Sequence, residues 1–341
     1  MTGLILRRCI SAVPLIFLVS VFAFALIRLV PGDPVDVLLG ASEKDLSPEQ
    51  VAALRHEMGL DQPPVKQYLA WLAGFWGEGE LGRSYRDGRP VLAVIGERLP
   101  ATVALVGTSL VLAGTLGIAF GLAMAWAATG RTVSYWSPIL RMAALFLYSA
   151  PGFWLASIAI FCVGRWLPWL PISGLNDPGQ APTLASVAQH VLLPASILSL
   201  RRAAKLALFI RAMVLEEMSR DYVLIALAKG LSWSAVLARH ILRNSLLPVV
   251  ALLGLSLPAL LGGSVLIETV FAWPGMGRLA VEAAFGRNYP LLLTLVVVYG
   301  AMVVVSTLIA DLLYSLVDPR LRETQAISGL SGSPAASGMA S

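Results

Sequence analysis

Long apolar runs without charges recur along the chain and are separated by shorter polar stretches. A helix needs about 20 residues to cross a bilayer core, and five runs approach or exceed that length. A sixth run, Leu184 to Leu215, contains Arg201, Arg202 and Lys205, and we interpret it as one span with charges inside it. The five uninterrupted runs are Cys9 to Ile27, Leu99 to Ala128, Met142 to Gly164, Asn244 to Ile267 and Asn288 to Ala310. The pattern predicts an all-α membrane protein with six transmembrane helices.

The composition favours a membrane protein over a soluble domain. Of the 341 residues, 57% are hydrophobic and 13% are charged, and the mean hydropathy is +0.77. Soluble domains average about 45–50% apolar and about 25% charged residues. The first run exceeds the roughly 7–15 residues of a secretory signal core, and no cleavage site of small residues follows it, so we keep it as a span.

The segment between the first two spans, residues 31–98, carries eleven acidic and seven basic residues and has structure of its own. Ser47 to Gln50 is a capping-box pattern with proline at the first helical position, and Gly59 ends that helix. A second helix follows, whose apolar face lies on the bilayer surface or against the span ends. This face consists of Val65, Tyr68, Leu69, Leu72, Phe75 and Trp76. A packed external cap is favoured over a ligand site.

Basic residues in the short loops predict the orientation, because Lys and Arg are retained on the cytoplasmic side. One series of connections is rich in them: Arg7, Arg8, Arg131, Arg141, Lys229, Arg239, Arg243, Arg320 and Arg322. The opposite short loops hold Arg165 in one and Arg278 and Arg287 in the other. We therefore expect both termini in the cytoplasm.

The sequence contains no motif for a catalytic or nucleotide-binding site. It has no G-x-x-x-x-G-K-[ST], no G-x-G-x-x-G after a strand and no G-x-S-x-G. His56, His190 and His240 fall at different predicted levels, and Cys9 and Cys162 lie in spans without metal or disulfide spacing. We therefore predict no catalytic residue, no metal site and no cofactor bound by this chain.

The connection before the fifth span, DYVLIALAKGLSWSAVLARHILRNSLLPVV at residues 221–250, is too long for a simple turn between membrane helices. Tyr222 to Lys229 is compatible with a helix, Gly230 breaks it, and Ser232 is placed to cap a second one. Glycine between two short helices permits a positive φ and the close approach of another backbone. In a chain without its own nucleotide site, such a helix suggests a docking element for a separate motor.

Two parts of this connection resemble the cytoplasmic coupling loop, or EAA loop, of ABC-importer permeases in the dipeptide/oligopeptide/nickel group. They are A-K-G-L-S at Ala228 to Ser232 and R-H-I-L-R-N-S-L-L-P at Arg239 to Pro248. The acid that names the loop is absent, since Leu224 and Ile225 precede Ala226, a departure typical of the peptide/nickel subgroup. Other segments agree with the same family: R-L-V-P-G-D-P at Arg28 to Pro34, M-G-L-D-Q-P at Met58 to Pro63, L-P-A-T at Leu99 to Thr102, E-T-V-F-A-W-P-G-M-G at Glu268 to Gly277 and D-P-R-L-R at Asp318 to Arg322.

The resemblance implies a permease subunit in the bacterial inner membrane. Its partners would be a second permease, identical or different, two cytoplasmic ATPases that use ATP and Mg, and an external solute-binding protein. The implied contacts with the ATPase are Tyr222, Ala226, Ala228, Lys229 and Gly230, of which Ala226 and Gly230 would keep the coupling helix slim. No nucleic acid is expected, and the substrate would be a dipeptide, a longer peptide, a nickel chelate or an opine-like solute.

The resemblance divides the chain into four parts. Residues 1–30 are a tail and the first helix, 31–98 the external helical segment, and 99–318 the permease core, with the coupling loop at about 216–243. Residues 319–341 form a cytoplasmic tail that is low in complexity and predicted to be disordered from about 326.

The basic residues inside the fourth span bear on the substrate. Arg201 and Lys205 are four residues apart and share a helix face, which we expect to line a water-filled pathway, with Arg202 turned to a neighbouring span or the partner permease. Three alternatives remain open: the helix begins later and the charges lie nearer an aqueous boundary, the long side chains snorkel, or they pair with the carboxylates of Glu216, Glu217 or Asp311.

An ion-coupled carrier or channel without an ATPase is the competing functional class. Ionisable residues inside spans and helices broken by proline are typical of carriers, and Pro151, Pro194 and Pro258 lie in predicted spans. No internal repeat supports it, however, and the coupling loop would then serve no purpose.

The connection from Glu268 to Gly286 has a composition suited to a rigid non-helical turn followed by a short helix. We expect it to form part of the mouth that receives the binding protein. A span-end anchor that places Phe271 and Trp273 at the membrane interface is the alternative.

Overall fold

A computed structural model describes residues 2–29, 32–39, 47–77, 81–129, 136–177, 179, 181 and 183–317. Within them, the only extended pairing is an isolated bridge between Arg83 and Pro90. The helices are α1 (Thr2–Leu29), α2 (Pro34–Leu39), α3 (Pro48–Glu57), α4 (Pro64–Gly77), α5 (Val91–Thr129), α6 (Trp136–Ser149), α7 (Gly152–Trp166), α8 (Leu184–Met218), α9 (Asp221–Ala228), α10 (Trp233–Val236), α11 (Leu242–Val270), α12 (Met276–Phe285) and α13 (Tyr289–Val317). The predicted all-α class is confirmed. The predicted tail, residues 319–341, lies outside the described residues.

The centre of the bundle is the contact between α5 and α8, the most extensive helix pair of the described structure. α5 has 39 residues, or about 58 Å at 1.5 Å per residue. Gly117 and Gly121 lie where it meets α8, and a Cβ added at Gly121 would lie 3.0 Å from the carbonyl oxygen of Ala207. Because Ala203, Ala204 and Ala207 of α8 are also small and buried, the two backbones pack closely.

The predicted third span, Met142 to Gly164, is broken rather than continuous. α6 and α7 meet at Ala150 and Pro151 and are bent by 107° relative to each other. Proline has no N–H to donate and disfavours helical geometry in the residue before it, which explains the break at this point. With 14 and 15 residues, each piece is about 22 Å long, too short for a bilayer core of about 30 Å.

Four helices of the described chain are long and apolar enough to cross a membrane, and the α6–α7 pair makes a fifth if it counts as one span. The four are Ile10–Leu29, Val91–Ala128, Leu237–Val270 and Tyr289–Leu313; the third includes a π-helical segment, Leu237–Ile241, that leads directly into α11. α8, which carries Arg201, Arg202 and Lys205, is not among them, although twelve of its residues are buried. The number of six spans, which counts α8, therefore stays a prediction.

The two ends of the bundle carry different short helices. At one end, α9 and α10 belong to a core cluster with Ala125, near the C-terminus of α5. At the other end, α12 packs against Val91 and Val94 at the N-terminus of α5. We call these the α9 end and the α12 end.

α1 and α13 run antiparallel at the edge of the bundle. Arg8 Nη2 lies 2.9 Å from Asp311 Oδ2 at the α9 end, and the Arg28 guanidinium lies 5.2 Å from the centroid of the Tyr289 ring at the α12 end. The start of α1 and the end of α13 therefore lie at the same end of the bundle.

The segment that contains α3 and α4 covers the α12 end of α1. The predicted capping box is present, since Ser47 Oγ accepts from the Gln50 backbone N–H and Gln50 Oε1 accepts from the Ser47 N–H. α4 packs against α1, where Tyr68 shares a hydrogen bond of 2.8 Å with Ser20, in the middle of the candidate span Ile10–Leu29. Val65 and Leu69 of the predicted apolar face are exposed instead, so α4 packs through only part of that face.

Candidate functional site

The predicted coupling helix is α9, and a glycine ends it. Gly230 has φ of +85°, its N–H donates to Leu227 O at 2.9 Å, and the N–H of Leu231 donates to Ala226 O at 3.3 Å. These two bonds form a Schellman motif, which requires the left-handed conformation that glycine adopts without strain. Ser232 Oγ then accepts from the Ala235 N–H at 3.4 Å. The predicted helix break at Gly230 and the predicted cap at Ser232 are confirmed.

One face of α9 is fixed to the bundle. Val223 and Ala226 are 1% and 7% exposed and pack in a cluster with Val214 of α8 and Ile241 before α11. The contact joins the coupling region to two long helices. Ala226 was expected to keep the outer side of α9 slim, but it faces inward, where its small side chain permits close packing against α8 and the segment before α11.

Tyr222 also points toward the bundle. Its hydroxyl donates to the Glu217 carboxylate at the end of α8 and accepts from Asn244 Nδ2 of α11 at 3.4 Å. Burial and the nearby Glu217 carboxylate raise the pKa of Tyr222, so the hydroxyl keeps its proton and remains a donor. Tyr222 thereby links α9 to both α8 and α11.

The opposite face of α9 is exposed and partly apolar. Leu224 and Ile225 are 65% and 55% exposed, and Ala228, Lys229 and Gly230 beside them are exposed as well. Of the five residues predicted to couple, three lie on this surface and two, Tyr222 and Ala226, do not. Sequence reasoning noted Leu224 and Ile225 only for the missing acid. The available signal was that two large apolar residues lie on the side of α9 opposite Val223 and Ala226, where a helix without a partner needs no apolar residues.

The three basic residues of α8 separate into two environments. The Arg201 guanidinium lies 5.6 Å from the centroid of the Tyr148 ring of α6. Arg202 and Lys205 line a cavity of about 150 Å³ between α8 and α11, with Ser256 on the opposite wall. The expectation that Arg201 and Lys205 line a pathway together stays a prediction; both are exposed, whereas Arg202 is half-buried. Residues three apart also neighbour each other on a helix, and Arg202 is the cation that shares this cavity with Lys205.

The carboxylates proposed as ion-pair partners for these cations are engaged elsewhere. Asp311 pairs with Arg8 at 2.9 Å, Glu216 with Arg220 at 3.0 Å, and Glu217 accepts from Tyr222. In the described part of the chain, none of the three α8 cations forms a salt bridge. The ion-pair alternative of the sequence analysis is therefore wrong for these carboxylates.

At the α12 end, a buried carboxylate organises the connection between α11 and α13. Glu268 is 0% exposed; its Oε1 accepts from Thr102 Oγ1 at 2.9 Å, and its Oε2 accepts from the N–H groups of Gly277 at 2.6 Å and Arg278 at 3.1 Å. Met276 N–H donates to Thr102 Oγ1 at 2.8 Å. The carboxylate thus satisfies first-turn donors of α12, where negative charge is favoured.

The predicted rigid turn followed by a short helix is confirmed at residues 271–285. Phe271 and Trp273 are 1% and 0% exposed, and Trp273 Nε1 donates to Ala101 O at 2.9 Å. The alternative of a span-end anchor is therefore wrong, because both rings lie in the protein core and not at the membrane interface.

Groups of three or more His, Cys, Asp or Glu side chains that could hold a metal ion are absent from the residues the structure describes. His56 contacts Asp61 at 2.7 Å, and buried His190 lies 3.8 Å from Asp177. Each of these pairs lacks a third ligand.

Comparisons with known proteins identify the family. The model of "Binding-protein-dependent transport system inner membrane component" matches residues 117–323, and its N-terminal companion matches residues 1–106. The chain is 34% identical over 322 residues to "Oligopeptide transport system permease protein AppB" of Bacillus subtilis (strain 168), covering 94% of this chain and 99% of the relative. It is 36% identical over 321 residues to "Probable peptide ABC transporter permease protein y4tP" of Sinorhizobium fredii, covering 93% and 98%.

A solved structure has a similar fold. It is titled "Inward facing conformations of the MetNI methionine ABC transporter", shares 16% sequence identity and a TM-score of 0.54, and covers 67% of this chain and 97% of that chain. At this identity the likeness concerns the fold alone. The family matches extend over both the spans and the α9 end, and this chain belongs to the family of inner-membrane components of binding-protein-dependent transport systems.

Proposed function

We propose that this chain is the translocation subunit of an importer that carries peptides delivered by an external binding protein, driven by ATP hydrolysis in partner ATPases. The observation that carries this proposal is the match of nearly the whole chain to permeases named for oligopeptide or peptide transport. We abandon the alternative of a carrier or channel without an ATPase, because the family model that matches this chain describes binding-protein-dependent transport systems.

The α9 surface supports the coupling role. Leu224 and Ile225 would enter an apolar groove of the ATPase, while Val223 and Ala226 tie the opposite face to the bundle. A displacement of α9 would then pass directly to α8 and α11. Under this proposal the α9 end is cytoplasmic, and ATP with Mg is bound by the partner ATPases and not by this chain.

The cavity beside Arg202 and Lys205 supports peptides over bare metal cations. Two cations without a paired carboxylate attract the C-terminal carboxylate of a peptide, and a guanidinium can donate two parallel hydrogen bonds to it. They would repel a free nickel ion. In the assembled importer, we place this cavity on the pathway between the two permease subunits.

A deletion strain tests the proposed function. Loss of this chain should abolish uptake of radiolabelled tri- and tetrapeptides, while uptake of free amino acids and of nickel continues. The strain should recover when the full chain is supplied in trans. Unchanged peptide uptake together with loss of nickel uptake would overturn the peptide assignment.

A further inference from the structure

A cavity of about 170 Å³ lies at the α12 end, outside both the coupling surface and the cavity between α8 and α11. Its walls come from the last turns of α1, from α4 with the turn before it, from the loop that contains Tyr85, and from the start of α13. Arg28 and Lys66 line this cavity, and none of its lining residues is a carboxylate. We call it the Arg28 cavity.

The Arg28 guanidinium lies between two aromatic rings. Its central carbon is 5.4 Å from the Phe24 ring centroid and 5.2 Å from that of Tyr289. Nε is buried and has no hydrogen-bond partner among the described residues. Arg28 is half-buried, and a buried donor of a cation that lacks an acceptor is unfavourable unless one reaches it, so this side chain favours an anionic ligand.

The nearby carboxylates of the described structure are already paired. Asp33 lies 2.8 Å from Arg55 Nη2, and Asp61 lies 2.7 Å from His56 Nδ1. The polar side chains of Tyr85, Trp71 and Gln67 also line the cavity, and they already donate hydrogen bonds within the protein, to Met58 O, Thr294 Oγ1 and Gln62 O. The positive charge of the lining therefore comes from Arg28 and Lys66.

The position of the Arg28 cavity indicates where the anion comes from. Arg28 lies in the last turn of α1, an edge helix that packs on α13 and exposes Phe22, Leu26 and Leu29. A span end with tyrosine, tryptophan and arginine is typical of the level of the lipid headgroups. Ile27 and Leu293 form an apolar part of the cavity wall next to the cations. A lipid needs this combination, because its charged headgroup is joined to apolar acyl chains.

We propose that the Arg28 cavity binds the phosphate group of an anionic membrane phospholipid, with Arg28 as the main contact and Lys66 as a second cation. The guanidinium fork matches two phosphate oxygens, and the flanking rings hold it in place. The bound lipid would join α1 to the α3–α4 segment. This inference is independent of the substrate and of the coupling role.

Thermal unfolding of the purified full chain in an uncharged detergent tests the proposal. Phosphatidylglycerol should raise the unfolding midpoint by about 3–5 °C. Phosphatidylcholine, whose phosphate is neutralised by its own choline, and inorganic phosphate should each have little effect. An equal shift with inorganic phosphate would show that the site binds free anions. An equal shift with phosphatidylcholine would show that the lipid needs no net negative charge. Either result would overturn the proposal.

Variants locate the effect. Arg28→Gln should abolish most of the shift caused by phosphatidylglycerol, and Lys66→Gln, at an exposed position, should reduce it. Arg165→Gln is the matched control, since Arg165 is an exposed arginine at the end of α7, and it should keep the full shift. If Arg28→Gln fails to fold, the shift that phosphatidylglycerol causes in Lys66→Gln tests the proposal instead. An undiminished shift in Lys66→Gln, or in a folded Arg28→Gln, would overturn the proposal.

Discussion

Glu268 illustrates how one side chain determines the shape of a connection. The predicted span ends one residue before it, but α11 continues to Val270, and a carboxylate in a membrane helix indicates function by default. Its three hydrogen bonds, to Thr102, Gly277 and Arg278, give it a structural role instead. A Cβ at Gly277 would lie 2.6 Å from Val265 Cα, so the glycine is required for the same close approach.

Replacing this carboxylate should destabilise the chain. Glu268→Ala leaves the donors on Thr102, Gly277 and Arg278 buried without an acceptor, which should lower the free energy of unfolding by about 2–4 kcal/mol. The measurement is the thermal midpoint of the purified protein in detergent. Glu282→Ala is the control, because Glu282 is 37% exposed and pairs with Arg278 at 2.9 Å on the protein surface. Equal midpoints for the two variants would show that Glu268 does not organise α12.

Among the elements, α9 combines two requirements in eight residues. Its inner face must be apolar and small to pack on α8, and its outer face must remain exposed to meet a partner. Val223 and Ala226 meet the first requirement, and Leu224 and Ile225 the second. A helix that was apolar only on its inner face would fold equally well, so we attribute the exposed pair to the proposed contact with the ATPase.

Leu224→Asp should separate folding from assembly. The side chain is 65% exposed, so the thermal midpoint should change little, while the amount of ATPase that co-purifies with the chain should fall at least about tenfold. Leu184→Asp is a matched control, since Leu184 is 88% exposed at the opposite end of α8. Normal co-purification of the ATPase with Leu224→Asp would exclude this face as the contact.

α8 is the element whose charges we propose to contact the substrate. Arg202→Ala and Lys205→Ala should each lower uptake of a peptide with a free C-terminal carboxylate by about tenfold, because a hydrogen bond to a charged group contributes about 1.5–3 kcal/mol. Arg201→Ala, which removes a cation stacked on Tyr148, should have a smaller effect. The measurement is uptake into cells that express equal amounts of each variant.

The same peptide with an amidated C-terminus distinguishes a direct contact from a structural one. Its uptake should be insensitive to Arg202→Ala and Lys205→Ala, since it lacks the carboxylate. If the amidated and free peptides lose uptake equally, the two cations support the fold of α8 and do not bind substrate.

For the whole molecule, the sequence predicted features that depend on a few neighbouring residues, such as helix ends. It did not predict which helix packs against which face. The helix ends at Gly59 and Gly230 follow from backbone geometry that the sequence specifies within a few residues. The partner of Lys205 and the inward position of Ala226 depend on which neighbouring helix packs against each face. That packing is decided by contacts between segments far apart in the chain, which periodicity does not encode.

The orientation of the bundle is the property on which the whole proposal depends. Lys229, Arg239 and Arg243 lie at the α9 end, and basic residues in short loops are retained in the cytoplasm. The ATPase must also be reached from that side. From both arguments we predict that the α12 end, with the cavity beside Arg28, lies outside the cell.

Cysteine labelling tests this orientation. In a variant without Cys9 and Cys162, we introduce Arg86→Cys at the α12 end or Ala228→Cys at the α9 end, both at exposed positions. A membrane-impermeant maleimide should label Arg86→Cys in intact spheroplasts and Ala228→Cys only after permeabilisation, because the bilayer separates the reagent from the α9 end. Arg165→Cys, on the external loop predicted from charge, should behave like Arg86→Cys. Labelling of Ala228→Cys in intact spheroplasts would place α9 outside, beyond the reach of a cytoplasmic ATPase, and would rule out coupling through this helix.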